Sequence, residues 1–194
     1  MNLCLKQGFK ELFCLPNIIS LSRLLLSLII PILWIKQISP DFIYILIIYG
    51  TLSDTLDGNL ARIFNLRSNL GKILDPLADK AFINMIFFLF YYEDIISLSF
   101  FLVILSRDLL IVCGALYLIF LTKAKLTPSP SLLGKITTVS QLSTLLALFM
   151  HHFLHPLPDL LLNIFLNLTL LFTISSGIDY LLSMKRMLSH AQDF

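Results

Sequence analysis

Charge is scarce in this chain. Asp, Glu, Lys and Arg make up 13% of its 194 residues and apolar types 57%, for a mean hydropathy of +0.88. That balance excludes an ordinary soluble core and fits a membrane protein. Cysteine is scarce too. Cys4, Cys14 and Cys113 are scattered, odd in number and without metal-ligand spacing, so free thiols are expected, not a disulfide framework. The N-terminus lacks a short apolar run followed by a small-residue cleavage site, so no cleaved signal peptide is expected. There is no low-complexity segment, no convincing repeat and no separate soluble domain. The net charge of +2 says little by itself, and no nucleic-acid partner is expected.

Against this background one acidic stretch stands out. Asp54, Asp57, Asp75 and Asp79 all fall within 26 residues. The first pair is spaced i,i+3 and the second i,i+4, so on helices each pair shares a face. Gly58 and Ala61 fall on the face of the first pair, and Gly71 in the stripe of the second. Two facing helices with small residues beside acids would let a bulky anion approach the backbone near a metal ion. An ionised Asp at mid-bilayer costs roughly 2.5–3.5 kcal/mol even on a lenient scale. Four would cost on the order of 10 kcal/mol, comparable to a domain's whole stability. Divalent cations, hard and oxygen-seeking, would remove the repulsion. The competing explanation turns the acids to the water interface or neutralises them with Arg62, Arg67, Lys72 and Lys80.

The apolar runs predict an all-α integral membrane protein forming a single domain over residues 1–194. A short interfacial helix is expected over about residues 3–14. Six spans follow, over about 17–36, 41–62, 70–92, 95–121, 132–154 and 158–183. Ser39-Pro40 separates the first two, and a polar tail ends the chain. Asp75-Pro76 is either a cap with its first helical residue or a local kink. Gly50 and Gly114 suit close helix contact. With six spans both termini share one side, where Lys6, Lys10, Arg67, Lys123, Lys125, Lys185 and Arg186 also fall. The opposite loops offer only Lys36, so the termini and the four acids are expected to be cytoplasmic.

The pattern D-x-x-D-G-x-x-A-R-x(8)-G-x(3)-D-x(3)-D is complete in Asp54, Asp57, Gly58, Ala61, Arg62, Gly71, Asp75 and Asp79. It resembles the signature of the CDP-alcohol phosphatidyltransferases, and eight fixed positions make that resemblance highly specific. Pro16-Asn17 with Arg23, Ser106-Arg107-Asp108, and Gly134-Lys135-Ile136-Thr137-Thr138 with Gln141 look like its glycerophosphate and cardiolipin branches. The resemblance implies transfer of the phosphatidyl group of CDP-diacylglycerol to an alcohol, with release of CMP. It implies that Asp54, Asp57, Asp75 and Asp79 hold two Mg²⁺ or Mn²⁺ ions and that Asp79 is the general base. Gly58, Ala61, Arg62 and Gly71 would line the CDP site. A homodimer in a bacterial inner membrane is the corresponding expectation.

Arg23, Arg107 and Lys135 are candidates to hold an acceptor phosphate. Against that, Arg107 and Asp108 suit an internal ion pair, and Arg23 and Lys135 suit side chains that snorkel to headgroups. Glycerol-phosphate acceptors in the family usually go with G-K-x-K-T, where this chain has Thr137, and with Arg-Glu, where it has Arg107-Asp108. Both departures lean toward cardiolipin synthases, whose acceptor is phosphatidylglycerol. Asn65-Leu66-x-x-Asn69-Leu70-Gly71-Lys72 and the compact fourth-to-fifth loop lean toward phosphatidylglycerophosphate synthases, and glycerol 3-phosphate is the acceptor taken forward. A cation transporter or channel would need polar residues through both halves of the membrane, and the outer halves are almost wholly apolar. An intramembrane prenyltransferase would usually need more helices. His151, His152 and His155 sit at the far end of the fifth span and read as interfacial.

Overall fold

The computed structural model describes residues 15–39, 41–51, 71–121, 131–154 and 156–192. Every regular element among them is helical, with no strand. The elements are α1 (Leu15–Ile35), α2 (Asp41–Thr51), α3 (Gly71–Tyr92), α4 (Leu98–Leu121), α5 (Leu132–Phe149) and α6 (Asp159–Gln192). A π-helical turn, Met150–Leu154, continues α5. Among the described residues, Ile18–Ile35, Leu132–His152 and Asp159–Arg186 are long and apolar enough to cross a membrane. The expected interfacial helix, and the stretch carrying Asp54, Asp57, Gly58, Ala61 and Arg62, lie outside the described residues. The chain forms two compact units, Met1–Leu89 and Phe90–Phe194.

In the first unit α1 opens with Pro16 in its first turn, where the missing N–H leaves no bond unmade. The helix ends earlier than the expected break at Ser39-Pro40. Gln37 takes φ 54°, and its N–H bonds Trp34 O at 2.9 Å. The Ile38 N–H bonds Leu33 O at 3.2 Å, which completes a Schellman motif. Ser39 then starts α2 instead, its carbonyl accepting from the N–H groups of Phe42 and Ile43. The core joins three helices: Ile30 from α1, Ile43 from α2, and Phe82, Met85 and Leu89 from α3. Gly50 lies directly against the Phe82 ring, and a β-carbon there would collide with it. The glycine's expected role in close packing is thus met.

α3 is described from Gly71 and ends at Tyr92, where the third span is expected to end. Pro76 therefore lies inside the helix, and so does Asp75, which is not its cap. The missing Pro76 N–H leaves the Lys72 carbonyl without its intrahelical donor.

In the second unit the turn after Tyr92 repeats the device that ends α1. Asp94 has φ 55°, with Asp94 N–H on Tyr91 O (3.0 Å) and Ile95 N–H on Phe90 O (3.0 Å). Residues 93–97 are spent on this reversal, so α4 begins at Leu98 rather than 95. Ser97 caps it by accepting from Phe100 N–H at 3.3 Å. Ser131 caps α5 in the same way, accepting from Gly134 N–H at 3.0 Å. α6 packs against both α5 and α4. Gly114 of α4 meets Tyr180 of α6 so closely that a β-carbon would lie 2.5 Å from Tyr180 Oη. That hydroxyl donates to Ile111 O at 3.2 Å.

α6 has 34 residues and runs nine past the expected end at 183. The expected polar tail is helical because Leu182 to Gln192 contain neither Gly nor Pro to stop the helix.

α6 and the first part of α5 are inside out compared with a water-soluble pair, while Leu145, Ala147 and Leu148 of α5 are buried. Val139, Leu142 and Leu146 of α5 and Leu171, Ile174 and Ile178 of α6 are exposed. Thr137, Gln141 and Thr144 of α5 and Thr169, Thr173 and Ser176 of α6 are buried. Apolar side chains outward and small polar ones inward is the arrangement expected in lipid, where leucine gains nothing by leaving the solvent.

Candidate active site

The site residues that can be placed lie on α1 and α3 in the first unit and on α4, α5 and α6 in the second. Positions 71, 75 and 79 fall on one continuous helix, so Asp75 and Asp79, four residues apart, share a face as their spacing predicts.

Asp79 is 39% exposed and is held by Arg23 of α1, whose Nη1 donates to Oδ1 at 2.5 Å. Arg23 is only 3% exposed, so it does not snorkel to the headgroups. Its guanidinium is spent on the acid expected to be the base, across 56 residues of sequence. Ala78, beside Asp79, is fully buried, so the helix is seated tightly where this acid emerges. A carboxylate is a hard oxygen donor of the kind that divalent cations take. Among the described residues no three His, Cys, Asp or Glu side chains come together, and the first acid pair lies outside those residues.

Arg107 of α4 is 5% exposed, and its Nη1 donates to Asp108 Oδ1 at 2.7 Å. Asp108 is 2% exposed, so the internal ion pair weighed from sequence is present and buried. The other terminal nitrogen, Nη2, donates to Ser176 Oγ of α6 at 2.6 Å. Two glycines flank this guanidinium chain. A β-carbon at Gly177 would lie 3.6 Å from Arg107 Cγ, and one at Gly134 would lie 3.7 Å from Nη2. Three helices therefore fix one arginine. Lys135, next to Gly134, is exposed.

Thr137, which stands where glycerol-phosphate enzymes usually carry lysine, is fully buried. Its hydroxyl lies 2.8 Å from Leu133 O and 2.9 Å from Phe172 O, so it ties α5 to α6. Thr144 bonds Phe165 O at 3.1 Å and shares a 2.7 Å contact with Thr169. Thr169, Thr173 and Ser176 have no counterpart in the expected site. Their spacing of four and three residues, small polar types on one face of an apolar helix, is the signal that reveals them. At the other end of α5, His151 Nδ1 lies 3.0 Å from Leu157 O, a clasp on the turn into α6.

Comparison with known proteins agrees with the motif. A family model described as CDP-alcohol phosphatidyltransferase matches residues 13–175. A protein of Aquifex aeolicus named CDP-diacylglycerol--glycerol-3-phosphate 3-phosphatidyltransferase is 35% identical over 182 residues, covering 89% of this chain and 97% of that protein. One of the same name from Bacillus subtilis is 31% identical over 192 residues, covering 87% and 94%. The Homo sapiens cardiolipin synthase (CMP-forming) is 34% identical over 130 residues, covering 66% of this chain and 41% of that protein. The chain belongs to the CDP-alcohol phosphatidyltransferase family. It is a membrane protein, and its family and relatives are phosphatidyltransferases of phospholipid biosynthesis.

Proposed function

We propose that this chain transfers the phosphatidyl group of CDP-diacylglycerol to glycerol 3-phosphate, forming phosphatidylglycerophosphate and releasing CMP. The observation that carries this is the pair of near full-length matches to proteins named for that reaction. The complete eight-position motif adds to it. Asp54, Asp57, Asp75 and Asp79 would hold two Mg²⁺ or Mn²⁺ ions, which when bound supply positive charge to the pyrophosphate. Gly58, Ala61 and Gly71 would give the CDP moiety room against the backbone, and Arg62 would pair with its phosphates as a planar fork.

Asp79 takes the proton from the acceptor hydroxyl. That oxygen bonds to the β-phosphorus, the bond from phosphorus to the CMP oxygen breaks, and CMP leaves. Arg23, bonded to Asp79, fixes the orientation of the carboxylate. Asp108 and Ser176 fix Arg107, which with Lys135 would meet the acceptor's phosphate. The surrounding architecture is six spans in the lipid bilayer of a bacterial inner membrane, with cytoplasmic termini and a homodimeric assembly.

Phosphatidylglycerol as acceptor is the second reading, favoured by Thr137, by Asp108 in place of Glu, and by the match to cardiolipin synthase. The test supplies the purified chain with CDP-diacylglycerol, Mg²⁺ or Mn²⁺, and either acceptor, and measures CMP. Release that needs metal and glycerol 3-phosphate supports the first reading, and release with phosphatidylglycerol alone supports the second. Release with neither overturns both.

A further inference from the structure

The buried faces of α5 and α6 meet in layers. Thr137 bonds Phe172 O and Thr144 bonds Phe165 O, seven residues apart on each helix and in opposite order, so the pair is antiparallel and its register is fixed. In that register Thr144 lies with Thr169, and their hydroxyls are 2.7 Å apart. By the same register the next layer along carries Gln141 and Thr173, and the one beyond it Thr137 and Ser176. The hydroxyls of the outer two layers are all bonded. Thr169 also donates to Ser140 O at 3.1 Å and contacts Ser140 Oγ at 2.7 Å, while Ser176 accepts from Arg107.

The middle layer is different. Gln141 and Thr173 are both 0% exposed. Gln141 Nε2 and Oε1 and Thr173 Oγ1 are buried and make no hydrogen bond. One layer out, Arg107 Nε is in the same condition. Buried polar groups in folded proteins are almost always paired, with protein or with ordered water. An amide offering both a donor and an acceptor, opposite a hydroxyl that can be either, matches a molecule that both donates and accepts. It must also be small, because neither residue reaches the surface. An interior water typically makes about three such bonds.

We infer that the Gln141–Thr173 layer is a binding site for ordered water, held between two dry hydrogen-bonded clasps and bridging α5 to α6. The bridged partners act as one unit, and that property separates this site from a dry one. Where water joins them, removing either partner strands the other. Where the layer is dry, each partner is an unsatisfied group whose removal is a relief.

The test measures the thermal midpoint of the full chain in detergent for Gln141→Leu, Thr173→Val and the double variant, with and without glycerol 3-phosphate. Each single change is expected to lower the midpoint by about 2–4 °C. The double variant should lose clearly less than the sum. Single changes that raise the midpoint, with additive effects, would overturn the inference. So would a stabilisation of the wild type by glycerol 3-phosphate that both single variants lose, since the layer would then take a substrate hydroxyl instead. Should Gln141→Leu fail to fold, Thr173→Val, which exchanges a hydroxyl for a methyl group, decides by the same signs.

Discussion

The two units of this protein hold their helices together with a different emphasis. In the first, Ile30, Ile43, Phe82, Met85 and Leu89 interlock, and Gly50 gives up its side chain so that the Phe82 ring can lie on the backbone. In the second, threonine, glutamine and serine share the interior of α5 and α6 with Leu145, Ala147 and Leu148, while other leucine, isoleucine and valine side chains face out. In a membrane the first device works through shape, because packed atoms fit each other better than they fit lipid tails. The second works through hydrogen bonds that have no partner in hydrocarbon. Shape fails when volume changes. Hydrogen bonding fails when one partner is removed and the other is left buried.

Each unit can be broken in the way its own device dictates. The largest expected effect is catalytic and lies in the first unit. Asp79→Asn should lower CMP release by about 10²–10⁴-fold, the range for losing a positioned acid or base, with a smaller drop in the midpoint of unfolding because the buried Arg23 loses this carboxylate's charge. A matching loss of fold would place Asp79 among structural residues. Next, Arg107→Ala in the second unit leaves Asp108 buried without its partner and should cost about 3–5 kcal/mol, read as a loss of folded protein in denaturant. Replacing both members of the pair with apolar residues should recover much of that loss.

Gly50→Ala is a pure volume change against an aromatic ring and should cost about 1–3 kcal/mol. Gly114→Ala should cost less, because Tyr180 is only partly buried and can swing away, whereas the Phe82 ring is enclosed. The smallest effect is expected at Thr144→Val, about 0.6 kcal/mol, the average for one hydrogen bond between membrane helices. If Thr144→Val proved as damaging as Gly50→Ala, the contrast between the two units would collapse.

Local features of the chain were legible before folding. The apolar run from 70 to 92 is helical over all its described residues, Gly71–Tyr92, because it holds one periodic pattern. Gly50 and Gly114 stood out as small residues in bulky company, and Arg107-Asp108 as adjacent opposite charges in an apolar span. Features joining distant segments were not legible. Nothing near Arg23 in sequence points to Asp79, because the pair depends on how α1 settles against α3. Ser176 likewise acquires its role from an arginine 69 residues away. The ends at Ile35 and Tyr92 fall within a residue of expectation, but no glycine marks the turns that follow on Gln37 and Asp94 at positive φ, and α4 starts three residues later than expected. Of the acid cluster itself, the helical phasing of positions 75 and 79 is established, while Asp54 and Asp57 lie outside the described residues.

The length of α6 has a consequence of its own. At about 1.5 Å per residue its 34 residues measure roughly 50 Å, whereas the hydrocarbon layer is about 30 Å thick. Several turns must therefore stand clear of the lipid as a stiff rod, and Lys185 and Arg186 ride on that projection. A label carried at position 185 would ride on that rod, and its distance from the bilayer could be read as a ruler of how upright the last helix stands.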